Sequence, residues 1–356
     1  MISKLFDLFS SLDFDFGGIL ICNSNVLRYY FNMQNIEGVL LVLRDEICLF
    51  VDFRYYELVK FNVKNVSVLL FENLRNEITS VLVEKKVNKI ACHSQDLPVN
   101  TYFKFKGWFD NKVEFVLNSA LDSKIEEHMS VKTVLEIEKI TYAQKISEKV
   151  LKDILNFLVP GVSEIEVARK LNSLICQNSD GIAFETIVVS GRRTSLPHGH
   201  ASNKLLEIGD FITIDFGAII DGYRSDMTRT FCLGKPSLFQ QEIYELVLNA
   251  QKLAFEKIKL GVNCSQIDLI IRDYFKKYGY EKNFGHSLGH GVGLKIHERP
   301  YLSLNSTDKF EKNMVCTVEP GLYFENDFGV RIEDLILVDY DEIVNLTNFD
   351  RNLLCL

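Results

Sequence analysis

The sequence predicts a two-domain protein: a smaller α/β domain, then a larger α+β domain with two related halves. Three observations lead there. The first 127 residues alternate short apolar runs with polar, helix-patterned ones. The remainder carries a repeated helix–turn–helix pattern. The length of 356 residues suits about two domains at roughly 150 residues each.

In the first part, Gly18 to Cys22, Gly38 to Leu43, Ile47 to Val51 and Val66 to Phe71 are continuous apolar runs that read as buried strands. Arg75 to Glu84 reads as a helix between them. The boundary falls within 126–132, giving domains 1–127 and 128–356. Thr133 and Glu136 form a capping box that starts a long helix. Ile137, Ile140, Ile146, Val150, Ile154 and Phe157 follow at helical spacing, and Pro160-Gly161 stops it. Ser163 and Glu166 start the next helix in the same way. Ala143-Gln-Lys leading to Gly161-Val162 is echoed by Ala250-Gln-Lys leading to Gly261-Val262. The second echo is followed by a helix through Ile267, Ile270, Ile271 and Phe275. This faint repeat hints at a pseudo-symmetric domain.

Composition narrows the function. Forty Lys and Arg against 48 Asp and Glu leave a net charge of −8, which disfavours a nucleic-acid binder held by bulk charge. Hydrophobic residues at 47% and charged residues at 25% are ordinary for a folded globular chain, so wholesale disorder is not expected. No run approaches the ~20 apolar residues of a membrane span, so no membrane partner is expected. Asp7, Asp13 and Asp15 interrupt the apolar start, unlike a secretory signal. The eight cysteines are scattered without a CxxC pair and read as reduced, mostly buried thiols. A cytoplasmic protein is expected.

Chemistry concentrates in the second part. Five of the seven histidines (His198, His200, His286, His290 and His297) fall within one hundred of its residues, among carboxylates set in apolar strand patterns. A buried charge needs a partner or a metal. Asp221-Gly222 between two strand-like runs is a hairpin turn. It pairs Ile220 with Tyr223 and Gly217 with Asp226. Asp215 and Asp226 then share a face, about 7–8 Å apart diagonally, and Gly217 is expected to leave room beside them. The histidines from His286 to His297 sit among glycines that let backbone approach a ligand. Thr317 and Glu319 share a strand face, as do Arg331 and Glu333, with the arginine a plausible partner of the carboxylates. A site of Asp215, Asp226, His290, Glu319 and Glu333 offers four negative charges and one neutral ligand. That balances two divalent cations, with manganese, cobalt, iron or zinc suited to it and cuprous copper not.

The motifs Leu196-Pro-His198-Gly, Ile214-Asp215-Phe-Gly, Tyr223-Arg-Ser-Asp226-Met-Thr-Arg-Thr, His286-Ser-Leu-Gly-His290, His297-Glu-Arg-Pro, Glu319-Pro-Gly and Val330-Arg-Ile-Glu333-Asp together resemble the pita-bread metallopeptidases. The likeness is closest to their Xaa-Pro branch, aminopeptidase P and prolidase. Val51-Asp52-Phe-Arg54-Tyr55 resembles more loosely part of that branch's creatinase-like, ribonuclease H-like N-terminal domain.

The resemblance implies a pita-bread catalytic domain and hydrolysis of Xaa-Pro bonds by a hydroxide bridging two divalent metals, manganese first. Asp215 would chelate one metal, Asp226 and Glu333 would bridge both, and His290 and Glu319 would hold the other. Glu319 would also be the general base. His198 and His297 would contact the scissile carbonyl or leaving nitrogen, His286 would shape the proline pocket, and Arg331 would orient the bridging carboxylates. His200, His93 and His128 match no functional position and read as structural or surface residues. The expected substrates are short peptides with proline second, cleaved by an aminopeptidase with prolidase as the alternative, in a homodimer. Methionine aminopeptidase, a metal-free creatinase-like hydrolase and a non-catalytic protein-binding module are more remote, given the N-terminal domain, His286 and the intact ligand set.

Overall fold

The computed structural model describes residues 2–34, 36–109, 112–340 and 342–356. The chain forms two compact units, Met1–Met129 and Ser130–Leu356.

The first unit is a mixed six-stranded sheet of β1 (Gly18–Ile21), β2 (Val39–Leu43), β3 (Ile47–Val51), β4 (Ser67–Leu70), β5 (Lys89–Cys92) and β6 (Glu114–Leu117) in the order β4-β3-β2-β1-β5-β6. Helices α1 (Ile2–Asp7), α2 (Ser24–Phe31), α3 (Phe53–Asn62), α4 (Leu74–Glu84), α5 (Val99–Phe109) and α6 (Ser119–Ser130) accompany it. β1, β2 and β3 are buried along their whole length, as their apolar runs require. β4 departs from the expectation of a buried strand: it is a half-exposed edge, paired among the described residues with β3 alone. β5 and β6, each four residues with a charged residue at one end, are too short to stand out in the sequence. Asp52, in the Asp-Phe-Arg-Tyr stretch, caps α3 by accepting from the Arg54 amide and pairs with the Arg54 guanidinium (2.6 Å).

The second unit has two helix–turn–helix halves packed beside antiparallel strands, the arrangement that the pita-bread resemblance implies. Its first half holds α7 (Val134–Ile154), α8 (Glu164–Asn178), β7 (Gly181–Ile182), β8 (Ile187–Ser190), β9 (Phe211–Phe216), β10 (Ala218–Ile220), β11 (Tyr223–Arg224) and β12 (Met227–Cys232). Its second half holds α9 (Leu238–Lys257), α10 (Cys264–Lys277), β13 (Gly289–Gly291), β14 (Glu298–Leu302), β15 (Val315–Val318), β16 (Gly321–Tyr323), β17 (Gly329–Arg331), β18 (Asp334–Val338) and β19 (Ile343–Asn345). Both predicted capping boxes form. α7 ends at Ile154 and tightens into a 3-10 turn at Leu155–Phe157 before Pro160 is reached.

The faint repeat is real at the level of hydrogen bonds. Gly161 N donates to Leu206 O and Leu206 N returns to Val162 O; Gly261 N donates to Phe310 O and Phe310 N returns to Val262 O. Ser163 bridges Leu205 as Asn263 bridges Lys309. Each half has its own core: one cluster around Val150, Leu171, Ile214 and Phe231, another around Val247, Ile271, Phe310 and Cys316.

Candidate metal centre

The hairpin register is the one the turn dictates. Ile220 faces Tyr223, Phe216 faces Met227 and Asp215 faces Thr228. Asp215, near the end of β9, and Asp226, just before β12, therefore meet diagonally on one face, both buried. Gly217 does not leave room for the carboxylates, as the sequence suggested. The Ser225 carbonyl occupies that space, 1.9 Å from where a Cβ would stand. Here β9 gives way to β10, which joins β7 in a separate sheet.

β13 inserts between β14 and β15. A Cβ on Gly289 would lie 2.2 Å from the Thr317 carbonyl, so only glycine fits beside His290. His290 Nδ1 donates to the Gly291 carbonyl (3.1 Å), which turns Nε2 toward Asp226 Oδ2 (3.7 Å) and Glu319 Oε1 (3.4 Å). Glu333 accepts from the Thr228 hydroxyl (2.6 Å), which joins the two halves at the site. One ligand atom each from Asp226, His290 and Glu333 lies within 4.8 Å of the others.

Electrostatics point the same way. Burial, reinforced by neighbouring carboxylates, pushes Asp226 and Glu333 well above the usual carboxylate range and Glu319 up to about 8. Burial and the adjacent His297 push His290 down to about 3, so it is a neutral donor. Asp226, Glu319 and Glu333 so close together in a buried site cannot all ionise without a counter-charge, and cations supply it. Asp215 gives one oxygen to Arg331 (2.7 Å), while its other oxygen is buried with no hydrogen-bond partner among the described residues. An acceptor orphaned in that way fits a metal ligand.

Arg331 needs a correction. The family resemblance puts it on the bridging carboxylates Asp226 and Glu333. Its ion pair is with Asp215, and it reaches Glu333 only through the Thr228 hydroxyl, to which its Nε donates (3.1 Å). The reason is local: Arg331 ends β17, opposite Gly321, while Glu333 bridges to Thr228. Arg331 Nη1 also donates to the Tyr323 hydroxyl (2.8 Å), which lies 3.0 Å from His286 Nε2; His286 Nδ1 donates to the Ser287 carbonyl (2.8 Å). Tyr323 thus donates to His286, and burial with Arg331 nearby holds that imidazole down to about 4. Tyr323 and Thr228 were missed in the sequence. Strand alternation was the available signal for both, since Tyr323 shares a face with Gly321 and Thr228 with Asp226.

Asp215, Asp226, His290, Glu319, Glu333, His198, His286, His297 and Arg331 all line one cavity of about 580 Å³. The His297 and His290 rings are 4.3 Å apart, and burial lowers the His297 pKa. Phe184, Ile187, Ile296 and Tyr301 supply the apolar lining. His200 also lines this cavity, exposed and paired with Glu185 (2.9 Å), so it is a surface residue of the site rather than one apart from it. His93 and His128 belong to the first unit, both buried. His128 lies between Asp7 and Tyr30, 3.0 Å from each.

Residues 138–340, more than half of the chain, match the model of metallopeptidase family M24. The chain is an M24 metallopeptidase. Relatives span its full length. It is 36% identical over 357 residues to the uncharacterized peptidase YqhT of Bacillus subtilis, covering 100% of this chain and 99% of that one. It is 40% identical over 319 residues, 89% of each chain, to the Xaa-Pro dipeptidase of Pyrococcus furiosus. Among solved structures, the Xaa-Pro dipeptidase from Bacillus anthracis superposes with a TM-score of 0.95 at 37% identity, covering 100% and 99% of the two chains. The X-Pro aminopeptidase from Thermotoga maritima gives 0.87 at 32%, covering 96% and 98%. M24 metallopeptidases work with divalent metal, and the oxygen-rich donor set with one imidazole fits such ions.

Proposed function

We propose that this M24 metallopeptidase hydrolyses the bond between a first residue and proline. The convergence of five candidate metal ligands with His198, His286 and His297 on one cavity carries the reading. Two divalent ions, manganese first, with cobalt, zinc and iron also suited to the donors, would supply the Lewis acidity that activates water near neutral pH. Asp215 would hold one ion, Asp226 and Glu333 both, and His290 and Glu319 the other.

The chain's own residues do the rest. Glu319 accepts the proton of the attacking water. His297, kept neutral by burial, and His198 donate hydrogen bonds where charge develops on the scissile carbonyl oxygen or leaving nitrogen. The path from Asp215 through Arg331 and Tyr323 to His286 fixes the wall on which the proline ring rests. A bond to proline has no N–H and a locked ring, so it needs a dedicated pocket.

The aminopeptidase was expected first, with the dipeptidase as the alternative; relatives named Xaa-Pro dipeptidase lead us to put the dipeptidase first. The B. anthracis and P. furiosus proteins are both named Xaa-Pro dipeptidase. The reading includes a homodimer, supported by the family resemblance. It also includes a cytoplasmic setting, supported by eight unpaired cysteines; no helix among the described residues is long and apolar enough to cross a membrane. Metal-reconstituted protein given Ala-Pro and Ala-Pro-Ala tests the activity. Cleavage of the dipeptide alone supports a dipeptidase, cleavage of both an aminopeptidase, and cleavage of neither overturns the reading.

A further inference from the structure

The repeated Ala-Gln-Lys places two glutamines at equivalent points of α7 and α9, Gln144 and Gln251, each 0% exposed. Their surroundings differ. Neither polar atom of Gln144 has a hydrogen-bond partner among the described residues. Gln251 Nε2 donates to the carbonyls of Val318 (3.0 Å) and Ile332 (3.2 Å), and its Oε1 accepts from Arg351 (3.3 Å).

Those two carbonyls belong to the peptide units that launch Glu319 and Glu333. The other end of each unit is also held: Glu319 N donates to Leu288 O (2.9 Å) and Glu333 N to Thr228 O (3.1 Å). Each peptide plane is therefore gripped at both ends, and a single amide group serves both planes on the carbonyl side. Glu319 and Glu333 come from different stretches of chain, one leaving β15 and the other between β17 and β18. The spacing of their backbones is set where Gln251 joins them.

We propose that Gln251 is a positioning residue of the metal centre: it fixes the separation of the Glu319 and Glu333 carboxylates from behind, and Arg351 orients its amide. The inference rests on the carboxylate cluster being a metal site. It adds a residue that lines no part of the cavity.

The two glutamines supply a matched test. Equilibrium dialysis of metal-free protein against Mn²⁺ measures affinity and stoichiometry, with thermal unfolding of the metal-free forms alongside. Gln251→Met removes the donor at similar volume and should weaken Mn²⁺ binding by about 10- to 100-fold, the range for groups that orient ligands. Gln144→Met, equally buried, should bind Mn²⁺ within about twofold of the parent, because it holds no ligand. Arg351→Met leaves Gln251 in place but frees its amide. It should weaken binding severalfold in the same direction, and it decides the matter if Gln251→Met does not fold. A folded Gln251→Met with parental affinity overturns the inference, as does an equal loss in Gln144→Met or parental affinity in Arg351→Met when Gln251→Met is unfolded. A parent protein that binds no Mn²⁺ instead overturns the metal-centre reading, and the inference with it.

Discussion

The two halves of the second unit solve one problem in different ways. Each must hold a histidine-bearing loop against the cavity. In the first half, Glu164 opens α8 with no exposed surface and takes most of the donors itself, while its partner Arg193 passes one bond on to the His200 carbonyl (2.5 Å). The Glu164 oxygens accept from Ser190 N (2.7 Å) and Oγ (2.9 Å), Arg193 Nε (2.9 Å), and Ser202 N (3.0 Å) and Oγ (2.7 Å). That fastens the stretch carrying His198. In the second half, Asp268 in α10 is as deeply buried, but among the described residues it accepts from Leu288 N (3.0 Å) and the Arg272 guanidinium (2.7 Å) alone. Arg272 then reaches the carbonyls of Phe284 (3.1 Å) and His286 (2.7 Å). One half leans on a carboxylate with five donors and passes a single bond through Arg193; the other passes most of its hold through an arginine. The first loop hangs mainly on buried carboxylate oxygens, which need all their donors, whereas the second hangs mainly on an arginine partly open to water that tolerates losing its partner.

The largest expected effect breaks the first half's contribution outright. Asp226→Asn should reduce turnover by more than about 10³-fold and lower the metal content; metal analysis beside a peptidase assay checks this, and full activity with one bound ion would contradict a two-metal scheme. Glu164→Gln places an amide N–H₂ among donors and should cost about 3–5 kcal/mol in denaturant unfolding. Asp268→Asn, which keeps an acceptor for Leu288, should cost about 1–3 kcal/mol; equal costs would erase the distinction between anchor and relay. His297→Ala should lower kcat about 10²-fold with metal content near that of the parent, and loss of both ions would make the residue a ligand.

The smallest effect concerns α7. Counting from the repeated Ala-Gln-Lys, Glu148 of the first half corresponds to Phe255 of the second. Burial holds the Glu148 carboxyl above its usual range, although Asn348 N donates to it (2.8 Å). The folded chain therefore binds this proton more tightly than the unfolded chain. Its favourable contribution is complete below the unfolded pKa and is lost as pH rises through the folded one. Glu148→Gln keeps the acceptor and should gain up to about 1 kcal/mol over the parent at neutral pH, with the gain vanishing near pH 4. Thermal unfolding across that pH range measures it, and a pH-independent difference would show that Glu148 does not titrate there.

The sequence disclosed whatever follows from local rules. A two-residue turn set the Asp215–Asp226 register, capping boxes set the starts of α7 and α8, and a three-residue echo marked the two halves. It concealed whatever depends on which strand edges meet. Arg331 met Asp215 because β17 pairs with β16, and Tyr323 entered the site on the same pairing. β5 and β6 stayed hidden because four residues with a charge at one end carry too little periodicity.

The crossing of the Ser225 carbonyl over Gly217 has an evolutionary corollary. One ribbon feeds two sheets there, and the two aspartates lie on either side of the crossover. Side chains near the Asp221-Gly222 tip have their own partners, Lys139 for Asp221 and Glu136 for Tyr223, and one residue gained or lost between that tip and Asp226 would turn Asp226 to the opposite face. Drift in this arm should therefore proceed by replacement and never by indel.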